Sequence, residues 1–193
     1  MTRRRAVFLD RDGVLNESVV GRDGIPRPPA SVDQFVLIPG VDAACREFHA
    51  LGFLLVVVSN QPDVARGTQR REVVETMNTR LREMIPLDDI RVCYHDDGDG
   101  CDCRKPQPGL LLAAARDLDI DMAASFMVGD RSRDIEAGRR AGCLTILVGD
   151  GYGESLSSKP DASLGSLPKA AAWIAERPRL QHGTEGAERR HGS

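Results

Sequence analysis

Short apolar runs alternate with amphipathic segments along this chain, and this alternation constrains the fold more than any other feature. The apolar runs are mostly continuous, which is typical of strands buried on both faces of a parallel sheet. Because strand, helix and strand follow one another, the pattern predicts an α/β fold, a Rossmann-like and mostly parallel sheet with helices on both faces. The predicted strands are 6–9, 53–58, 90–94, 125–128 and 144–148, and the predicted helices are 41–51, 70–84, 108–118 and 134–141.

The composition fits one domain with a single sizeable core, since 41% of the 193 residues are hydrophobic and 28% are charged. We expect this domain to span 1–176 and the polar residues 177–193 to form a disordered tail. The segment 17–39, rich in glycine and proline, is expected to be a loop or a small β excursion. The segments between the predicted strands are too short to hold a separate folded cap domain over the ends of the strands.

The net charge of -3 gives no general attraction for nucleic acid or for an anionic membrane. Only 4% of the residues are aromatic, which leaves little for base stacking. The first apolar run is far too short for a signal peptide or a membrane span. We therefore expect a cytoplasmic monomer that acts on a small molecule.

Two carboxylates stand one residue apart where the first predicted strand ends, in Asp10-Arg11-Asp12-Gly13. Residues at i and i+2 point to the same side of an extended chain, so Asp10 and Asp12 can face one small volume. Their mutual repulsion must then be offset, usually by a divalent cation. The alternative is an ordinary charged turn after an edge strand.

Three further polar motifs follow predicted strands or open predicted helices: Ser59-Asn60-Gln61, Arg104-Lys105-Pro106, and the segment from Gly129-Asp130 to Asp134. Taken singly, each has a structural explanation, as a turn, a solvated charge or a helix cap. Taken together, they supply what phosphoryl transfer through a carboxylate requires: a nucleophile, a proton donor, donors for the phosphoryl oxygens, and cation ligands.

Three cysteines and one histidine crowd one short segment, as Cys93, His95, Cys101 and Cys103. Three thiolates and one imidazole complete a tetrahedron, the usual composition of a structural zinc site. A disulfide, or free thiols beside a chance histidine, would be the alternative. Because Lys105 follows the last cysteine by two residues, zinc would fix where that lysine points without taking part in the chemistry.

These motifs resemble those of the haloacid dehalogenase superfamily of phosphohydrolases, over nearly the whole stretch from 7 to 149. The resemblance implies that Asp10 attacks phosphorus and becomes an aspartyl phosphate. Asp12 would protonate the leaving oxygen and then deprotonate the attacking water. Ser59 and Lys105 would hold the phosphoryl oxygens.

The same resemblance implies a catalytic Mg²⁺. Its ligands would be the Asp10 carboxylate, the Asp12 backbone carbonyl and the Asp130 carboxylate, with Asp134 in support. Cation and lysine together would cancel the charge of a carboxylate attacking a phosphate dianion.

The zinc loop, together with Gln61, Ala65-Arg66-Gly67 and Pro106-Gln107-Pro108-Gly109, resembles the zinc-containing branch of this superfamily. That branch includes heptose bisphosphate and histidinol-phosphate phosphatases, and the heptose enzymes are the more similar. This chain departs from them in having Ser59 where threonine is commoner, Pro62-Asp63 where Ser-Gly is frequent, and Arg131 in place of lysine.

Four arginines lie in the motif segments and predict a local basic cluster on an acidic protein. They suit a second anionic group on the substrate, since arginine binds phosphate in a bidentate manner. A sugar bisphosphate fits this cluster better than histidinol phosphate, whose far end is cationic. The residues expected to bind substrate are Arg11, Asn60, Gln61, Arg66, Arg104 and Arg131.

Two non-enzymatic interpretations of these motifs are less consistent with the sequence. A phospho-receiver domain needs adjacent acids on its first strand, whereas Asp10 and Asp12 alternate. A zinc-built interaction module explains the cysteines and leaves the acids and Lys105 unexplained.

Overall fold

A six-stranded parallel sheet organises the protein in a computed structural model that describes residues 3–22 and 24–177. The sheet strands are β1 (Arg5–Leu9), β4 (Phe53–Asn60), β5 (Asp89–Cys93), β6 (Phe126–Gly129), β7 (Leu144–Val148) and β8 (Ala162–Leu164). Their order is β5-β4-β1-β6-β7-β8, and every neighbouring pair runs parallel. The described residues contain no helix long and apolar enough to cross a membrane.

Strand β1 lies at the centre of the sheet, where Val7 pairs with Leu55 on one side and with Phe126 on the other. Its apolar residues alternate between two cores: Val7 and Leu9 belong to one, Ala6 and Phe8 to the other. Burial on both faces explains why the run is continuously apolar. Because β1 is central, its carboxyl end lies in the middle of the edge at which the parallel strands end.

Five helices cover the two faces: α1 (Val41–Ala50), α2 (Arg71–Met84), α3 (Gly109–Leu118), α4 (Ser132–Ala141) and α5 (Leu167–Ala175). The core on the Val7 side is completed by α1, α2 and α5, and the core on the Phe8 side by α3 and α4. The predicted α/β architecture with helices on both faces is therefore confirmed. Helix α5 and strand β8 are additions that the periodicity analysis did not predict.

The segment between β1 and α1 forms a short antiparallel hairpin, β2 (Val19–Val20) with β3 (Pro26–Arg27), and a 3₁₀ turn at Val32–Gln34. This is the predicted small β excursion. Among the described residues, the segment between β4 and β5 contains α2 as its only helix, and neither segment holds a separate cap domain. The predicted tail lies mostly outside the described residues, so the division at 176 stays a prediction.

Candidate active site

The polar motifs meet at the carboxyl edge of the sheet. Asp10 follows β1, Ser59 lies near the end of β4, and Asp130 follows β6. Lys105 reaches the same edge from the loop that precedes α3. All four side chains are buried or nearly so. The edge of the sheet thus gathers acids, a hydroxyl and an ammonium in a space of low water content.

Lys105 lies between two carboxylates. Its Nζ is 2.9 Å from Asp10 Oδ1 and 2.7 Å from Asp134 Oδ1, and the residue is 2% exposed. Burial alone would lower the pKa of Lys105, but the charges of Asp10 and Asp134 outweigh it and the pKa is raised. The ammonium therefore stays charged at the site.

Asn60 fixes the backbone of Lys105 by two hydrogen bonds. Its Nδ2 donates to the Lys105 carbonyl at 3.0 Å, and its Oδ1 accepts from the Lys105 amide at 3.1 Å. Asn60 was predicted to bind substrate, whereas both polar atoms of its side chain contact the protein. Its observed role is to hold the lysine loop against the end of β4.

Asp130 has the environment of a cation ligand. It is 3% exposed, and the Tyr152 hydroxyl faces its carboxylate, which otherwise has no hydrogen-bond partner among the described residues. Burial, with the charges of Asp10 and Asp134, raises the pKa of Asp130 to about 8. One oxygen from each of Asp10, Asp130 and Asp134 lies within 4.8 Å of the others. These oxygens match the hard ligands that Mg²⁺ prefers.

Asp134 supports this cluster from the first turn of α4. Its Oδ2 accepts from the Arg131 amide at 3.0 Å, while Oδ1 contacts Lys105. Burial raises the pKa of Asp134 against the lowering effect of the lysine charge. Because both of its oxygens have protein partners, Asp134 serves mainly to orient Lys105 and the start of α4.

Asp12 is held by a ring of donors. Its Oδ1 accepts from Arg11 Nη2 at 3.1 Å and from Asn16 Nδ2 at 3.0 Å. Its Oδ2 accepts from Arg11 Nη2 at 3.1 Å and from Gln61 Nε2 at 2.7 Å. The orientation of this carboxylate is therefore set before any substrate binds.

Arg11 lies elsewhere than the sequence analysis expected. It is completely buried, and its Nη1 donates to Asn78 Oδ1 at 2.9 Å. Since the guanidinium faces Asp12 and Asn78, it has no open side for a substrate. This corrects the prediction that Arg11 binds substrate. Asn78, on α2, was missed because nothing in the amphipathic pattern of that helix marks one buried asparagine.

Gln61 is also buried, at 2% exposure. Its Nε2 donates to Asp12 and, at 2.9 Å, to the Oγ of Ser59. Gln61 was expected to bind substrate. Its side-chain nitrogen instead contacts two predicted catalytic residues.

The four predicted zinc ligands converge. Cys93 Sγ is 3.0 Å from Cys103 Sγ and 3.8 Å from Cys101 Sγ, and His95 Nδ1 is 3.2 Å from Cys103 Sγ. Thiolates about 2.3 Å from a tetrahedral zinc lie about 3.8 Å apart. The Cys93–Cys101 distance has this value, whereas Cys103 Sγ lies closer to both, at 3.0 Å from Cys93 Sγ and 3.4 Å from Cys101 Sγ. All five cysteines of the chain are free of disulfides. The donor types, three thiols and one imidazole, are those of a closed zinc site.

The predicted basic cluster is neutralised pair by pair, which the sequence analysis did not anticipate. Arg66 binds Asp96 through Nε at 2.8 Å and Nη2 at 2.6 Å. Arg104 Nε donates to Asp97 at 2.7 Å, and the buried Arg104 Nη1 has no hydrogen-bond partner among the residues that the structure describes. The Arg66 guanidinium lowers the pKa of Asp96 to about 2, and Arg104 lowers that of Asp97.

Arg131 is paired as well. Its Nη1 donates to Glu154 Oε1, and its guanidinium lies 4.7 Å from the centre of the Tyr152 ring. The side chain is partly exposed. Any anionic substrate group that meets these arginines would do so in exchange for a carboxylate.

Comparison with known proteins places this geometry in a family. Residues 102–172 match the HAD-hydrolase-like family model. The chain is 41% identical to a D-glycero-beta-D-manno-heptose-1,7-bisphosphate 7-phosphatase of Yersinia pestis, over 86% of this chain and 94% of that protein. It is 40% identical to the protein of the same name in Escherichia coli K12, over 86% and 92%.

Among solved structures, the D,D-heptose 1,7-bisphosphate phosphatase of B. bronchiseptica, complexed with magnesium and phosphate, aligns with a TM-score of 0.76. It is 30% identical and covers 89% of this chain and 98% of its own. The sequence relatives, the similar fold and the cluster of acids at the sheet edge all indicate the same family. The chain is a phosphomonoester hydrolase that belongs to the haloacid dehalogenase-like phosphatases, in the family of the heptose bisphosphate phosphatases.

Proposed function

We propose that this enzyme removes the 7-phosphate of D-glycero-D-manno-heptose 1,7-bisphosphate through an aspartyl phosphate on Asp10. The observation that carries the mechanism is the position of Lys105, whose buried ammonium lies 2.9 Å from Asp10 Oδ1. Asp10 Oδ1 also accepts from the Arg11 amide at 2.8 Å. With Oδ1 engaged twice, Oδ2 is the oxygen left to attack phosphorus.

In the first half-reaction, an Asp10 oxygen forms a bond to phosphorus and the bond from phosphorus to the sugar oxygen breaks. Asp12, in its protonated form, gives its proton to that leaving oxygen. Lys105 and the Ser59 hydroxyl donate to the phosphoryl oxygens, where negative charge accumulates in the transition state.

In the second half-reaction, Asp12 takes a proton from a water molecule whose oxygen attacks phosphorus. The bond between phosphorus and Asp10 breaks, so the carboxylate is restored and inorganic phosphate leaves. One residue acts first as acid and then as base, which returns the site to its starting state after each turnover.

Two metal ions fit the donor sets. Asp10 and Asp130, with the backbone carbonyl of Asp12, would hold Mg²⁺, and the burial of the Asp130 carboxylate close to that of Asp10 supports this assignment. The bound cation would neutralise charge on the phosphoryl group. The cluster of Cys93, His95, Cys101 and Cys103 would hold a structural Zn²⁺ that fixes the loop leading to Lys105.

The substrate assignment rests on the relatives and on three arginines. The similar proteins of Yersinia pestis and Escherichia coli are heptose 1,7-bisphosphate 7-phosphatases by name. Arg66, Arg104 and Arg131 would meet the second phosphate or the sugar oxygens, with Asp96, Asp97 and Glu154 giving way.

A substrate panel tests both parts of the proposal. Phosphate release is measured with heptose bisphosphate, histidinol phosphate, fructose bisphosphate and a 3′-phosphorylated oligonucleotide, each with Mg²⁺. We expect the highest kcat/KM with the heptose bisphosphate, and loss of turnover in Asp10→Asn because an amide does not attack phosphorus. A preference for histidinol phosphate would overturn the substrate assignment alone.

Asp42→Asn serves as the matched control for Asp10→Asn. Asp42 is a partly exposed acid on α1 that pairs with Arg46 of the same helix. It should keep wild-type turnover. Appreciable turnover in Asp10→Asn would overturn the aspartyl-phosphate mechanism.

A further inference from the structure

The Gln61 side chain bridges two predicted catalytic residues that come from different strands. Its Nε2 lies 2.7 Å from Asp12 Oδ2 and 2.9 Å from Ser59 Oγ, and the residue is 2% exposed. Asp12 belongs to the loop after β1, and Ser59 to β4. Gln61 is therefore the direct polar link between the proposed acid and the proposed phosphoryl-binding hydroxyl.

The backbone around Gln61 is fixed from the zinc side. The Gln61 amide donates to the Cys93 carbonyl at 2.7 Å, at the end of β5. A buried side chain on an anchored backbone has few alternative rotamers. The side-chain nitrogen Nε2 is therefore held at its two acceptors, Asp12 and Ser59, by the protein itself rather than by a ligand.

The chemistry of the amide decides what the two bonds do. A glutamine nitrogen carries two protons, and here both are donated, one to a carboxylate oxygen and one to a hydroxyl oxygen. A serine oxygen that accepts this bond still has its own proton to donate. The Ser59 hydroxyl is thereby directed to act as a donor toward an incoming phosphoryl oxygen.

We propose that Gln61 is a positioning residue that sets the Ser59 hydroxyl and the Asp12 carboxyl group relative to each other, so that phosphoryl binding and proton transfer occur in one geometry. The proposal rests on the function proposed above for Asp12 and Ser59. It assigns Gln61 no contact with the substrate. Its contribution is made through its two partners in both half-reactions.

Gln61→Met removes both donors and keeps a side chain of similar length. We expect kcat to fall about 10- to 100-fold, a part of the 10²- to 10⁴-fold that general acid–base catalysis contributes. KM for the heptose bisphosphate should change by less than about threefold, since the arginines and Lys105 remain. Gln34→Met, at an exposed 3₁₀ turn, should leave both constants unchanged.

A double-mutant cycle separates positioning from a general structural role. Phosphate release is measured for wild type, Gln61→Met, Asp12→Asn and the double variant. If Gln61 acts through Asp12, the loss caused by Gln61→Met should be at least fivefold smaller in the Asp12→Asn background. Residues that act as one unit are strongly non-additive in kinetics.

The outcomes distinguish this proposal from the one on which it rests. Wild-type turnover in Asp12→Asn would overturn the proposed mechanism and the positioning role with it. An impaired Asp12→Asn, combined with the same Gln61→Met loss in both backgrounds, would overturn the positioning role alone. A fully active Gln61→Met would also overturn it.

A second variant covers the case in which Gln61→Met does not fold. Gln61→Glu keeps the shape of the side chain but faces Asp12 with an acceptor in place of a donor, so the same kcat loss and the same non-additivity are expected. Thermal unfolding and zinc content are measured for each variant. A folded Gln61→Glu enzyme with wild-type kcat would contradict the proposal.

Discussion

Gly13→Ala is expected to lower turnover by two orders of magnitude or more, because the new methyl group would take the space of the Asp130 carboxylate. A Cβ at Gly13 would lie 2.0 Å from Asp130 Oδ2 and 2.9 Å from its Cγ. Real Cβ atoms keep at least 3.0 Å from such neighbours, so the carboxylate must move by about 1 Å. A misplacement of that size can cost on the order of 100-fold in rate.

Gly52→Ala is the matched control. Gly13 and Gly52 have φ of +88° and +83°, so an alanine at either position pays a similar backbone cost of about 1–2 kcal/mol. Around Gly52, however, no heavy atom of the described residues outside its two chain neighbours lies within 4 Å of the added methyl group. Both variants should lose roughly 2–8 °C in Tm. Only Gly13→Ala should also lose turnover.

The assay combines three measurements on both variants: Tm, kcat at saturating substrate, and the Mg²⁺ concentration that gives half-maximal rate. Gly13→Ala should need more Mg²⁺, because Asp130 is a proposed ligand of that ion. If Gly13→Ala keeps a kcat within threefold of Gly52→Ala, the close approach of Gly13 to the Asp130 carboxylate does not govern the site, and the reasoning is refuted.

Three further predictions concern the zinc loop, the arginines and pH. Cys101→Ser should lower the zinc content, Tm and turnover together, since the loop that it closes leads to Lys105; about one zinc per chain with normal Tm, by metal analysis and thermal unfolding, would contradict this. Arg104→Ala should lower kcat/KM for the bisphosphate roughly 10- to 100-fold and leave hydrolysis of a small aryl phosphate nearly unchanged; equal losses would place Arg104 at the transferred phosphate. In metal-free protein, the pKa of Asp130 is raised from the ordinary 3.8 to about 8 by folding. Protonation of the folded protein at Asp130 therefore contributes stability that is fully present below about pH 4 and is lost as the pH rises through about 8. Denaturant unfolding at pH 5 and pH 8 should show this loss in wild type and a smaller one in Asp130→Asn; equal pH dependence of both would contradict it.

The sheet and the motif positions were predictable because both depend on local sequence. Continuous apolar runs such as 53–58 mark strands buried on two faces, and parallel topology brings their carboxyl ends to one edge. Strand β8 has only three residues at the sheet edge, two partly buried and one exposed, which gives too weak a pattern to predict. Helix α5 was missed although its apolar residues pack in the main core.

The roles of single polar residues were less predictable, because they depend on partners distant in sequence. Arg11 and Asn78 are 67 positions apart and meet only because α2 packs near the end of β1. Asn60 and Lys105 are joined by two hydrogen bonds across 45 positions. An arginine in a motif segment is equally consistent with a substrate contact and with a buried ion pair, and only the tertiary structure distinguishes them.

The two anchors of the zinc loop have a consequence for how this enzyme can diversify. Residues 96–100 lie between two pairs of proposed zinc ligands, Cys93 and His95 before them and Cys101 and Cys103 after them. Beyond the second pair, Asn60 holds Lys105 by two hydrogen bonds. The same short segment supplies Asp96 and Asp97, which bind the arginines at the entrance. Under the proposed function, insertions or charge changes there would alter which molecules enter without moving the Lys105 ammonium beside Asp10. Selectivity can thus evolve, or be engineered, separately from chemistry.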